Sequence, residues 1–302
     1  MRDVVFFLLR LTGLPLLLRE VIQRRRVSIL CYHDPAPEDF ARHLRLLTRI
    51  YNVISLERYL AWRRDSAVAL PPKPLVITLD DGHRGNYALA GVLAQYRIPV
   101  TIFLCSAIVG TRRRFWWKDL SGADREQLKR MSDAERLQAL ARNGFDETEE
   151  YPERHALSAD EIQTLRAHAD FQSHTRFHPI LPSCDDARAA DEIGVSKAEL
   201  EQRFGLDVNA LAYPNGDYTA RDAMLARQAE YTCALTIDGG YNDRATDVYR
   251  LHRFRMSDAA TNSEVVVKAS GLWSFWERGA AMLARRRRNG KLPGRRTHAA
   301  VH

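Results

Sequence analysis

The chain has 302 residues, 45% of them hydrophobic and 27% charged, with a formal net charge of +7. That balance excludes a disordered chain, and the length suffices for one large α/β domain. Cys31, Cys105, Cys184 and Cys233 stand without any Cys-x-x-Cys spacing, which points away from a disulfide framework and toward buried free thiols in a reducing compartment.

The first 23 residues are apolar but interrupted. Val4 to Leu9 is broken by Arg10, and Leu11 to Leu18 contains Pro15. A membrane span needs roughly 20 mostly apolar residues, and no small-residue cleavage site of a secretory signal precedes Arg24. The pattern predicts an amphipathic helix over residues 1–26 that lies in a membrane interface, with Arg24, Arg25 and Arg26 at the anionic headgroups. A helix capping one end of the domain is the alternative. The corresponding expectation for localisation is cytoplasmic, peripheral on the inner face of the cell membrane.

Beyond residue 26, β-branched runs alternate with helix-period segments, the signature of a mostly parallel sheet or barrel. Strands are predicted at Val27–Tyr32, Leu75–Leu79, Val100–Cys105, Ala169–Gln172, Ala210–Tyr213, Thr232–Ile237 and Val248–Leu251. Phe40, Leu44, Leu47 and Tyr51 recur at three- and four-residue steps and predict a core-facing helix over Glu38–Tyr51. Ser55 is the expected N-cap of the next helix. Further helices are predicted at Arg84–Tyr96, Asp124–Asn143, Ala159–Ala167, Asp185–Phe204, Thr219–Glu230 and Asn262–Arg288.

The domain layout expected is therefore 1–26, a catalytic barrel over 27–260 with an insertion at 111–152, and a C-terminal helix with a basic tail over 261–302. Arg285 to Arg288, Lys291, Arg295 and Arg296 crowd that tail. Such charge attracts anionic partners or is simply solvated. No helix-turn-helix, zinc-finger or RNA-binding signature accompanies it, so nucleic acid is not an expected partner.

The chemistry concentrates in two segments. Leu75-Val76-Ile77-Thr78-Leu79 runs into Asp80-Asp81-Gly82, and two histidines stand four apart in Ser173-His174-Thr175-Arg176-Phe177-His178-Pro179. Asp-Asp-Gly alone marks a turn, and His-x-x-x-His alone marks one helical face. Together, at the carboxyl ends of predicted parallel strands, they gain meaning, because that end is the functional face of such folds. One carboxylate and two imidazoles suit a divalent cation, zinc first, and leave a second carboxylate free as a base.

These segments, with Tyr32-His33 and Ala212-Tyr213-Pro214-Asn215-Gly216, resemble the polysaccharide deacetylases of carbohydrate esterase family four. That superfamily contains the chitin, peptidoglycan and nodulation-factor deacetylases. The resemblance runs from Val27 to Met256 and implies an α/β fold, an irregular (β/α) barrel of about seven parallel strands. It also implies that Asp81, His174 and His178 hold the metal and that Asp80 is the general base. The Tyr213, Pro214 and Asn215 turn would offer a backbone N–H to the oxyanion, with Asn215 as the donor. Many relatives carry an arginine in that turn; Ala212 and Tyr213 stand here, and Arg253 is the expected substitute. His252 is the candidate general acid. Strand alternation argues that His252 and Arg253 do not both face the site.

His33 would contact substrate or shuttle a proton. Trp116, Trp117 and Tyr218 are candidates to stack on sugar rings, against packing as the alternative for the tryptophans. His43, His155 and His168 are read as surface residues. The function expected is removal of an N-acetyl group from a hexosamine in a polysaccharide or a lipid-linked glycan. An O-acetyl esterase, a deformylase or a non-catalytic glycan-binding barrel on the same scaffold are the alternatives.

Overall fold

The computed structural model describes residues 2–279. Eight strands lie in one sheet: β1 (Ser28–Tyr32), β2 (Asn52–Val53), β3 (Pro74–Leu79), β4 (Val100–Leu104), β5 (Ala169–Ser173), β6 (Ala210–Ala212), β7 (Cys233–Leu235) and β8 (Phe254–Arg255). Seven form a parallel path in the order β7-β6-β5-β4-β3-β1-β8, and β2 pairs beside β3. The path curls into a half-barrel flanked by helices. Strands β1, β3 and β4 are buried at every position, as unbroken apolar runs must be when both faces of a parallel sheet are covered.

The curl explains the one misplaced strand. Val248–Leu251 was expected as the last strand, but Arg250 donates back to the Asp247 carbonyl (3.0 Å), and the Asp247 carboxylate takes the Tyr249 N–H (3.0 Å). That turn leaves only Leu251 in a single parallel bridge to Leu235. The chain then reaches across to β1, where Phe254 pairs with Leu30. Residues 251–254 thereby span the opening between the two edges of the sheet.

Helices follow their caps. Ser55 accepts the Arg58 N–H (3.0 Å) at the head of Leu56–Arg64, and Asp185 caps Asp186–Phe204. The expected helix over Asp124–Asn143 is two, Gly122–Leu128 and Asp133–Ala141, because Ser132 starts afresh with its own capping box to Glu135. Arg84–Leu89 winds as a 3₁₀ helix before Ala90–Tyr96 becomes α-helical.

The N-terminal segment is not one helix. Helix α1 (Arg2–Leu11) stops at Thr12–Gly13, with Gly13 at φ 73°, and α2 (Leu14–Leu17) continues into wider and tighter turns as far as Arg25. At the other end, Asn262–Ala269 breaks at Gly271 (φ 79°), and helix resumes over 272–279. The basic tail and the remainder of the predicted C-terminal helix, 280–302, lie outside the described residues.

Candidate active site

Register brings the two signal segments together. Tyr32 pairs with Leu79, so Asp80 and Asp81 leave the sheet where β1 ends, while Leu104 pairs with Ser173, so His174 leaves beside β4. The His174 N–H donates to the Leu104 carbonyl (2.8 Å). Asp81 turns sharply at φ 75° and Gly82 at φ 72°. A Cβ on Gly82 would stand 2.6 Å from Leu104 Cδ2, so only glycine meets both demands there.

Among the described residues, four of the seven non-glycine residues with positive φ border this point: Asp81, Thr175, His178 and Asn215. Left-handed backbone costs such residues about 1–3 kcal/mol and persists where the surroundings over-determine it. The loop that carries the histidines is held in that way. Glu192, fully buried, accepts the N–H groups of Arg176 (2.8 Å) and Phe177 (2.9 Å), and Arg188 lies 3.0 Å from its other oxygen. Burial pushes the Glu192 carboxyl up to about 7 against the pull of Arg188 and the two N–H groups.

Asp81 Oδ1 lies 3.4 Å from Nε2 of His174 and 3.4 Å from Nε2 of His178. It has no hydrogen-bond partner among the described residues although it is buried. Three donors at about 2.0–2.2 Å from one tetrahedral cation would stand about 3.3–3.6 Å apart. The trio fits an ion better than it fits itself. His174 Nδ1 meets the Ala212 carbonyl at 2.7 Å, which places the proton on Nδ1 and leaves the Nε2 lone pair facing the trio. Burial lowers the His178 imidazole to about 3, and the neutral form is the ligating one. The other Asp81 oxygen is engaged by His83 Nε2 (3.0 Å).

Asp80 is held differently. Arg253 forks onto it, with Nη1 to Oδ1 at 2.7 Å and Nη2 to Oδ2 at 2.8 Å, while its Nε donates to the Thr236 carbonyl (2.8 Å). Burial would raise this carboxyl, but Arg253 overrides it and holds the group at about 2, so Asp80 is an ionised acceptor. The Cys31 thiol also points at Asp80 Oδ2 (3.3 Å). Cys31, His33 and Asp80 are close enough to form a second trio. Burial, however, holds the Cys31 thiol well above its ordinary pKa, and both Asp80 oxygens are taken by Arg253, so it suits a cation less.

The pocket over these groups is lined by His33, Asp80, Asp81, Trp116, Trp117, His174, His178 and Asn215, with Arg255 to Asp258 on one side. Trp116 donates its indole N–H to the His178 carbonyl (3.0 Å), and the Trp117 ring sits 4.3 Å from the His178 ring. Both tryptophans thus wall the pocket and fix a histidine. Asn215 stands at φ 54° in the Pro214–Gly216 turn. Tyr213 and Pro214 do not line the pocket: Tyr213 is buried, donating to the Tyr249 carbonyl (3.1 Å) and stacking on Tyr218 (4.9 Å). Tyr218 itself lies at a separate depression with Asp238 and Arg250.

His252 is a correction. Because Arg253 turns inward, its neighbour turns away, and the His252 side chain lines another cavity beside Gly239 and Ser274. His43 is also corrected: it is fully buried, with Nε2 on the Ala260 carbonyl (2.7 Å) and its ring stacked on Tyr32. Sequence reasoning missed His83 and Glu192. Glu192 had a signal, an acid on the same helical stripe as Ala189, Ile193 and Leu200; His83 had only its place two residues past Asp81.

A curled parallel sheet with two carboxylates and a histidine pair at its carboxyl edge defines a class of hydrolytic barrel. The sequence model of the polysaccharide deacetylase family matches residues 67–234, more than half of the chain, and the chain belongs to that family. YxkH of Bacillus subtilis (strain 168) is 24% identical over 192 residues, 63% of this chain; the match spans only 54% of that relative's length. Two solved structures share the fold. Streptococcus pyogenes deacetylase PplD, in complex with acetate, superposes with a TM-score of 0.61 at 17% identity, over 81% of this chain and 98% of that one. IcaB from Ammonifex degensii gives 0.59 at 20% identity, over 82% and 97%.

Proposed function

We propose that this protein is a metal-dependent hydrolase that removes the acetyl group from an N-acetylhexosamine within a glycan. The observation that carries the reading is the division of labour between adjacent carboxylates. Asp81 faces two imidazole nitrogens at 3.4 Å with no bond of its own on that oxygen, while Asp80 is clamped by Arg253. Family membership supports hydrolysis of an acyl group, and the donor set supports a divalent cation, zinc before others.

Asp81, His174 and His178 would hold that cation. Once bound, it supplies a Lewis acid that polarises an acyl carbonyl and acidifies water to a pKa of about 7. Asp80, kept ionised by Arg253, accepts the proton from the attacking water. Arg253 touches no substrate; its part is to orient the carboxylate and keep it charged. The backbone N–H of Asn215, a residue of the pocket wall, would donate to the developing oxyanion, where one such donor is worth about 2.7–4 kcal/mol. With His252 turned away, His33 is the imidazole outside the cation trio that lines the pocket. We assign it the proton that must reach the leaving amine. The tryptophan pair closes one wall against bulk water and offers an aromatic face to a pyranose.

The test uses Asp80→Asn. Loss of a general base is expected to lower turnover of an acetylated oligosaccharide by about 10²–10⁴-fold, with bound metal, counted by elemental analysis, unchanged. Unaltered hydrolysis with metal in place would refute the base assignment. Acetate or formate release from defined N-acetyl, O-acetyl and N-formyl sugars then fixes which acyl group is taken; an N-acetyl preference is expected.

A further inference from the structure

The hydrolytic pocket leaves the N-terminal helices without a part, and their surface is unlike the rest of the molecule. Fifteen large apolar side chains are exposed among the described residues, and ten of them lie between Val4 and Ile22. Two more, Phe275 and Trp276, belong to the helical stretch that α1 packs against. Phe6 turns inward onto Trp273 (4.7 Å), and Trp273 meets Trp276 (4.8 Å). The two apolar groups therefore form one continuous face.

The charge around this face is predominantly positive. Residues 2–26 carry six arginines against Asp3 and Glu20, and Glu20 is already taken by Arg19 (2.8 Å) and Lys73 (3.2 Å). Arg24, Arg25 and Arg26 are exposed. Beside the face lies the cavity that His252 enters, lined by Arg2, Arg255, Lys268 and Arg278 against Asp238 and Glu277, with Glu264 pairing Arg2 (2.6 Å) and Lys268 (2.8 Å), so that cations stay in slight excess; it shares Arg255, Met256 and Ser257 with the active pocket. A second copy of the chain would bring this positive rim against itself, since a two-fold contact opposes like patches. An anionic bilayer complements both the apolar face and its rim.

Length decides how the bilayer is met. The ten residues of α1 make about 15 Å of helix, half of a hydrocarbon core of about 30 Å. No helix among the described residues is long and apolar enough to cross a membrane. We propose that α1, α2 and the Phe275–Trp276 surface dock flat in the interfacial layer of an anionic bilayer, with the cationic cavity beside the active pocket turned to the headgroups. Insertion of an apolar helix face with basic residues at its edge is a recognised mode of surface binding.

The test floats the full chain with vesicles made of phosphatidylcholine and phosphatidylglycerol in equal parts, and with phosphatidylcholine alone. The protein is expected to rise with the mixed vesicles and to be released in part by salt. Replacing Phe7→Ser, Leu11→Ser and Leu17→Ser together should lower partitioning by roughly a hundredfold or more. Those side chains are exposed, so circular dichroism and bound metal should match the parent. Asp80→Asn should float as the parent does, so docking and hydrolysis fail separately. No flotation with the mixed vesicles, or a triple variant that floats like the parent, would overturn the proposal. A dimer in light scattering that the triple substitution converts to monomer, without flotation of either, would overturn it too, in favour of self-association.

Discussion

The active pocket and the N-terminal helices break the usual partition of residues in opposite directions. In the pocket, Asp80 and Asp81 are 3% exposed and Arg253 is not exposed at all. At the N-terminus, Val4 is 59% exposed, Leu11 66% and Val21 65%. A buried charge needs a partner for each polar atom, and losing the partner costs several kcal/mol. An exposed apolar side chain forfeits only about 25 cal/mol for each Å² that stays wet. Apart from Asp81 Oδ1, which has no partner among the described residues, the pocket is therefore fixed from within by its own contacts, whereas the N-terminal surface takes its meaning from what covers it.

The sharpest way to break the pocket is to remove one member of its central pair. Arg253→Met leaves the Asp80 carboxylate buried and unpaired, and should destabilise the fold by about 3–5 kcal/mol, read as a fall in Tm. Adding Asp80→Asn should recover most of that loss, since coupled partners do not add. Recovery in the double variant separates an unpaired charge from poor packing. Next in size is Glu192→Ala, which strips the acceptor from the Arg176 and Phe177 N–H groups. The cost expected is about 1–3 kcal/mol, together with weaker metal retention in a chelator titration, because His178 sits on the released loop. Glu192→Gln keeps an acceptor oxygen and should retain most of both.

Legibility in the sequence followed the same division. Continuous apolar runs made β1, β3 and β4 readable to within a residue or two, and two short motifs at strand ends led to the trio of Asp81, His174 and His178. What escaped depended on how the chain curls. The turn at Asp247–Arg250 moved the last strand from 248–251 to Phe254–Arg255 and so decided that Arg253, and not His252, faces Asp80. His43 looked like a surface residue on a helix because nothing local announces that the Ala260 carbonyl, over two hundred residues later, closes above it. Gly13, a single glycine, divided the expected N-terminal helix. Long-range partners of this sort leave no period in the sequence to read.

His43 also offers a gentler probe of burial, away from Asp81, His174 and His178. Burial holds its pKa below the ordinary 6.5, and the facing charges, Arg42 against Asp39 and Asp258, do not reverse that. With Nε2 on the Ala260 carbonyl, Nδ1 is left buried without a partner among the described residues. Below the unfolded value the denatured chain binds the extra proton and the native one resists it. The stability His43 contributes is thus fully present above about 6.5 and is lost as pH falls through the window beneath. His43→Gln keeps a donor for Ala260 and has nothing to titrate. Thermal melts of the variant from about pH 7 to about pH 5 should fall less steeply than those of the parent; parallel slopes would show that other groups govern that range.

The smallest effect is expected where α1 seats its apolar side on the rest of the chain. Phe6 is the buried side chain of α1, held between Trp273 and the cations of Arg2 and Lys268. A phenylalanine truncated in a true core costs about 3–5 kcal/mol. Phe6→Ala cannot cost the barrel more than the free energy of undocking α1, because past that point the helix simply leaves its seat. The main unfolding transition should shift by less than about 1 kcal/mol while local opening near the N-terminus rises. Hydrogen exchange resolved by segment checks both halves: faster exchange over residues 2–11, with β1, β3 and β4 unchanged. A full core-sized drop in the main transition would mean instead that α1 folds as part of the barrel, and the contrast between a self-supporting pocket and a separately held surface would be lost.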